Sequence, residues 1–234
     1  MLKRIKWSKP CLLIGTIMTP EGLRLLAQAQ PHADLIEIRY DALYSAGVTA
    51  EQLIAHLAKR KNRVLLTLRT TREGGVHKWK STERVNQFMQ LIPHVDAIDL
   101  EVQNLHLVAD VLQSARDQNK GVILSAHSIT RKLTYGKAVR CLDNLREYRV
   151  QAYKIAGLAR TREDLGVLVR LLLDFPHVRL GVMAVGPQSE VSRVVLPSLG
   201  SKLVYGYLDA PAAKGQPSFK EVADALPWLV EKNA

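Results

Sequence analysis

Lys154 stands inside Gln151-Ala-Tyr-Lys-Ile-Ala-Gly157, a run that otherwise reads as a buried strand with helical stretches on both sides. An ammonium group placed there loses its water and must gain a charge partner or release its proton. A neutral lysine is a nucleophile suited to forming a Schiff base with a carbonyl compound. The plainer alternative is a lysine that snorkels out from the strand end. The other ionisable residues weigh between the two.

Of the seven histidines, His127 alone directly follows a strand-like run, in Ile123-Leu-Ser-Ala-His127. His32, His94 and His177 precede strands, and His56 and His106 fall in or beside helices. His77 lies in a long loop and is the second candidate for a base. Charged residues also gather at the ends of other strand-like runs: Glu37-Ile-Arg39-Tyr-Asp41, Arg69 with Glu73 four residues on, and Asp99-Leu-Glu101. Alternation sends Glu37 and Arg39 to one side, and likewise Asp99 and Glu101. Ion pairs that merely close one end of a fold would show the same pattern. A lysine nucleophile, a histidine base and several arginines together suit an anionic carbonyl compound.

The elements that must position these groups alternate regularly. Strands are expected at 10–17, 33–39, 63–69, 97–102, 121–126, 151–156, 179–184 and 202–206, with helical spacing at 20–30, 49–61 and 161–175. Thr161-Arg-Glu-Asp164 and Ser218-Phe-Lys-Glu221 supply helix starts. Eight alternating units in 234 residues fit a single-domain (β/α)8 TIM barrel over 1–234. An open doubly wound sheet would more typically carry fewer strands and a glycine-rich first turn, and no G-x-G-x-x-G follows the first strand. In a barrel, residues at the C-terminal ends of strands converge on one spot.

Composition sets the bounds. With 47% hydrophobic and 24% charged residues the chain reads as an ordinary globular protein. Cys11 and Cys141 form neither a close pair nor a metal-ligand spacing, so a reducing cytoplasmic setting is expected and no metal is called for. The basic segment 1–10 precedes an apolar run broken by Gly15 and Thr16, which reads as a first strand rather than a signal peptide. No stretch approaches a membrane span. The net charge of +11 is spread along the chain without a nucleic-acid-binding motif, so it reads as solvated surface.

The chain resembles the type I 3-dehydroquinate dehydratases, the Schiff-base-forming dehydratases of the shikimate pathway. The likeness rests on Leu35-Ile-Glu-Ile-Arg-Tyr-Asp41, Thr67-Leu-Arg-Thr-Thr-Arg-Glu-Gly-Gly75, Asp99-Leu-Glu-Val102, Ser125-Ala-His127, Tyr153-Lys-Ile-Ala156, Glu190-Val-Ser-Arg193 and Lys214-Gly-Gln-Pro-Ser218. It implies Lys154 as the Schiff-base lysine, His127 as general acid/base and Glu73 as the group that orients or tunes His127. It implies Glu37, Arg39 and Arg69 as contacts to substrate hydroxyls, Arg193 and Gln216 as carboxylate contacts, and Thr16 as a weaker match to a further contact. Departures fall at Ala126 and Ser128, which flank the histidine, and at Ala212, where the family usually has a serine.

The resemblance implies 3-dehydroquinate as the small-molecule substrate, 3-dehydroshikimate as product, and no cofactor. A homodimer is compatible with it. Two other readings stand beside it. One is a class I aldolase-like barrel, which shares the lysine chemistry but usually holds a phosphate in the loops after the seventh and eighth strands. The other is a catalytically silent metabolite-binding barrel, supported only by the residues at 126, 128 and 212.

Overall fold

The computed structural model describes residues 5–101 and 109–227. Val102 and His106, both named above, lie outside that range. Eight strands follow in chain order: β1 Leu12–Ile17, β2 Leu35–Arg39, β3 Val64–Thr67, β4 Ala97–Glu101, β5 Gly121–Lys132, β6 Ala152–Leu158, β7 Leu180–Val185 and β8 Leu203–Tyr207. They form one sheet in the order β7-β6-β5-β4-β3-β2-β1-β8, and every paired neighbour is parallel. The seam between β7 and β8 is bridged by the Lys202 N–H donating to Leu180 O at 2.9 Å and by the Ser201 hydroxyl, which accepts from the Val182 N–H at 2.8 Å. The result is a nearly closed (β/α)8 barrel.

The α-helices are α1 Tyr40–Ser45, α2 Ala50–Leu57, α3 Ser81–Leu91, α4 Ala109–Asp117, α5 Tyr135–Arg146, α6 Arg162–Asp174, α7 Ser189–Ser198 and α8 Phe219–Ala225. The two expected helix starts form as capping boxes: Thr161 Oγ1 accepts from the Asp164 N–H, and Ser218 Oγ from the Glu221 N–H. Segment 20–30 departs from the expected helix. It forms a 3₁₀ helix over Glu21–Ala27, tied at its start by Asp209, which accepts from the Met18 and Thr19 N–H groups.

Alternation along the strands explains where the charges go. The residues facing the barrel axis begin apolar and turn polar on β2 (Leu35, Glu37, Arg39), β4 (Ala97, Asp99, Glu101) and β5 (Ile123, Ser125, His127), while on β6 Lys154 lies between Ala152 and Ala156. The lower layer, with Leu12, Leu35, Leu65, Ala97, Ile123, Ala152 and Leu203, is a dry plug packed on by Ile5 and Trp7. The outward residues, among them Ile36, Ile38, Leu66 and Leu124, pack against Leu53, Phe88, Leu142, Leu168 and Leu196 of the helices. Burying about 25 cal/mol per Å² of apolar surface on both faces of the sheet is what stabilises a barrel that carries charge at one end.

Candidate active site

At the C-terminal end of the strands lies a cavity of about 320 Å³, the size of a small-ligand site. Glu37, Arg39, Arg69, Glu73, His127, Lys154, Arg193 and Gln216 all line it. Thr16 does not reach the lining. It is fully buried behind Glu37 and donates its hydroxyl to Glu37 Oε2 at 3.0 Å, while the Thr67 hydroxyl donates to Oε1 at 2.8 Å. Two hydroxyls thus fix the Glu37 carboxylate from below.

Lys154 is 5% exposed, and its ammonium donates to Asp99 Oδ2 at 3.2 Å. Burial pulls its proton affinity below that of a solvated lysine, against the opposing pull of Asp99. Asp99 is shared: Oδ1 also receives the Ser125 hydroxyl at 2.5 Å and Arg69 Nη2 at 3.1 Å. Although burial alone would raise the Asp99 carboxyl, Arg69 and Lys154 hold it well below the usual range. Arg69 continues the chain through Nη1 to Glu101 Oε1 at 3.4 Å, and Arg84 Nη2 reaches Glu101 Oε2 at 3.3 Å. A buried network of this kind is costly to break at any member, because the remaining partner is left charged and dry.

His127 sits inside β5 rather than just after it. The strand was expected to end at Ala126 but runs on to Lys132, because β6 also continues and pairs His127 with Ala156 and Lys132 with Leu158 across a bulge. Glu73 Oε2 receives both the His127 backbone N–H at 3.0 Å and its Nδ1–H at 2.8 Å, which leaves Nε2 as the unshared ring nitrogen. The imidazolium is disfavoured by burial and then by Arg69 and Lys154, so the ring loses its proton well below 6.5. Burial, with Glu101 and Asp99 nearby, pushes the Glu73 carboxyl up to about 8. Two N–H donors on Oε2 favour the ionised form, but Glu73 Oε1 is buried without a partner. A proton on Oε1 leaves Oε2 accepting both N–H groups, so the ring is held the same way in either state. Glu73 is presented by a 3₁₀ turn over Thr71–Glu73 that ends at Gly74 with φ 91°, a conformation glycine adopts without strain.

The remaining cations are held from their far sides. Arg39 forms a two-pronged bond to Asp41, Nε to Oδ1 at 2.9 Å and Nη2 to Oδ2 at 2.8 Å. Arg193, on α7, donates through Nη1 to Ala184 O, to Ser189 O at 3.2 Å and to the Ser192 hydroxyl at 3.0 Å. Its Nε is buried without a partner, and burial pushes the guanidinium down to about 10. Over it lies the loop after β8. Here Gln216 Oε1 accepts the Ala212 N–H at 2.7 Å, and Gly215 takes φ 77° where a Cβ would come within 3.3 Å of Gly186 O.

His77 is placed elsewhere. Its ring packs against Tyr44 and Trp79 at 4.8 and 4.4 Å and approaches Glu83, away from the cavity lining. Tyr205 and Met183 line the cavity without having been singled out from the sequence, and Ser125 joins the network below it. Their signal was the inward alternation on β5, β7 and β8, which apolar runs conceal. Among the described residues no group of His, Cys, Asp and Glu could hold a metal ion, and no helix is long and apolar enough to cross a membrane.

The protein from Archaeoglobus fulgidus named 3-dehydroquinate dehydratase is 28% identical over 219 residues, covering 93% of this chain and 98% of that protein. Its namesake from Methanosarcina barkeri is 30% identical, covering 86% and 87%. Crystal structures of 3-dehydroquinate dehydratases from Geobacillus kaustophilus and Clostridium difficile superpose with TM-scores of 0.83 and 0.81. At 20% and 21% identity they cover at least 95% of this chain and 91% of the other, which establishes the shared fold. The sequence pattern of the type I 3-dehydroquinases matches residues 11–233, nearly the whole length. The chain belongs to the type I 3-dehydroquinase family.

Proposed function

We propose that this protein dehydrates 3-dehydroquinate to 3-dehydroshikimate through a Schiff base on Lys154, with His127 as general acid/base and the barrel acting as one catalytic unit. The observation that carries the reading is Lys154 itself. It is a buried lysine of lowered proton affinity, opening into the same cavity as a neutral histidine whose Nδ1 is already committed to Glu73.

The steps follow from those groups. Lysine releases a proton, the free amine adds to the ring ketone to give a carbinolamine, and return of that proton to the carbinolamine hydroxyl lets it leave as water, giving an iminium. The cationic nitrogen draws electrons and acidifies the adjacent C–H. His127 Nε2 removes that proton, giving an enamine and an imidazolium. The enamine expels the β-hydroxyl, which leaves as water with the imidazolium proton. Hydrolysis of the product iminium frees the lysine, so the net change is loss of one water. Arg193 and Gln216 suit the substrate carboxylate, and Glu37, Arg39 and Arg69 suit its hydroxyls. Glu37 is immobilised by Thr16 and Thr67, so Thr16 acts by positioning Glu37.

Family membership favours this reading over an aldolase-like barrel, and the joint presence of Lys154, His127, Glu73 and Arg193 favours it over a silent one. The test is turnover of 3-dehydroquinate followed by the ultraviolet absorbance of the conjugated enone product. The parent should generate the enone and Lys154→Ala should not. A parent that binds 3-dehydroquinate without forming the enone would contradict the proposal.

A further inference from the structure

Tyr205 faces the charge of Lys154. It projects inward from β8, is 3% exposed, and packs among Leu12, Ile14, Ala156, Met183 and Leu203. The Lys154 ammonium lies over its ring, 4.2 Å from the centroid. The lysine nitrogen is therefore sandwiched between the Asp99 carboxylate and an aromatic face. The Tyr205 hydroxyl is buried with no protein partner, so packing and not hydrogen bonding sets the ring's place.

The two sides of this sandwich respond differently when the lysine reacts. An ammonium has three N–H donors, whereas an iminium has one, and its charge spreads on to carbon. A carboxylate bonded through N–H loses part of its hold as those donors are consumed. The negative face of an aromatic ring needs no N–H and acts on the cation wherever it lies over the ring. In a dry site the attraction is stronger than at a surface. The neutral carbinolamine gains little from it.

We infer that the face of Tyr205 stabilises the iminium relative to the carbinolamine, making Tyr205 a catalytic residue for formation of the covalent intermediate. This deepens the Schiff-base reading and rests on it. The consequence falls on the covalent step, because the population of iminium depends on the ring's electrostatics.

Borohydride reduces the iminium and leaves the carbinolamine, so at a pH high enough for free Lys154 to be an amine, the rate of trapping reads the iminium population without a change in the ammonium that the same ring face also holds. Tyr205→Phe keeps the ring face and should trap at close to the parent rate. Tyr205→Leu removes the face and should trap on the order of tenfold more slowly at saturating 3-dehydroquinate. Because leucine also changes packing, phenylalanines of increasing fluorination incorporated at position 205 supply a series of nearly constant shape. The trapping rate should fall stepwise with each weakening of the ring's negative face, with circular dichroism unchanged. A flat series overturns the inference, as does equal loss in Tyr205→Phe and Tyr205→Leu, which would assign the effect to the hydroxyl. Failure of the parent to trap at all would instead overturn the Schiff-base reading on which the inference rests.

Discussion

A single oxygen of Glu73 accepts both the backbone N–H and the Nδ1–H of His127, at 3.0 and 2.8 Å. One acceptor thereby fixes the ring's position and its tautomer, and the nitrogen left over is the one able to take a proton from a ligand. The carboxyl that does this is held at about 8, against an ordinary 4.5, chiefly by burial. The fold therefore favours protonated Glu73. Its contribution to stability is complete below pH about 4.5 and is lost as pH rises through about 8.

Glu73→Gln removes that dependence while keeping an oxygen for both N–H groups. Denaturant unfolding at pH 5, 7 and 9 should show the variant gaining on the parent as pH rises. With about 1.4 kcal/mol per unit as the scale, the gain should reach a few kcal/mol. A pH-independent difference would contradict the raised carboxyl.

The acid limb of kcat/KM should lie below pH 6.5, because burial, Arg69 and Lys154 all disfavour the His127 imidazolium. A limb at or above that value, assigned to His127 by its loss in His127→Ala, would place the ring in a wetter or more acidic setting than the one described.

Asp99→Asn leaves Lys154 and Arg69 without their shared counter-charge. Breaking a buried pair at one partner costs about 3–5 kcal/mol, and the variant should unfold at correspondingly lower denaturant. Since Asp99 raises the proton affinity of Lys154 against burial, its removal should move the pH dependence of adduct formation downward. An unmoved or upward-shifted profile would separate Asp99 from the nucleophile.

Ala212→Ser tests the loop after β8. Ala212 lines the cavity, and its N–H is tied to Gln216 Oε1 at 2.7 Å. One added hydrogen bond to the substrate carboxylate is worth about 1 kcal/mol, a roughly fivefold lower KM. Gln216→Ala should raise KM by at least as much, since it removes a donor and loosens the loop. If steady-state kinetics show neither change, the loop does not meet the carboxylate.

The barrel was legible because every strand is an apolar run at its start, and the residues that break the runs, Glu37, Asp99, His127 and Lys154, do so near the same end. What stayed hidden has physical causes. Tyr205 lies in Leu203-Val-Tyr-Gly-Tyr207, where an aromatic looks like core, and only the three-dimensional register sets it under Lys154. Thr16 matched a contact position by its place on β1, but the longer Glu37 side chain stands between it and the cavity. The extension of β5 past His127 depends on pairing with β6, which no local pattern reports. The bond from the Thr19 N–H to Asp209 spans 190 residues of sequence, and the segment that follows it is a 3₁₀ helix where an α-helix was expected.

The most direct measurement of the central claim is intact-mass spectrometry after borohydride reduction with 3-dehydroquinate, on the parent, His127→Ala and Lys154→Ala. The parent should gain one ligand-sized mass on the peptide carrying Lys154. His127→Ala should still gain that mass while dehydrating at least ~10²-fold more slowly, because attack by lysine and removal of the C–H proton are separate steps. Lys154→Ala should gain nothing. Trapping on another lysine, or an untrapped parent that turns over substrate normally, would contradict the account.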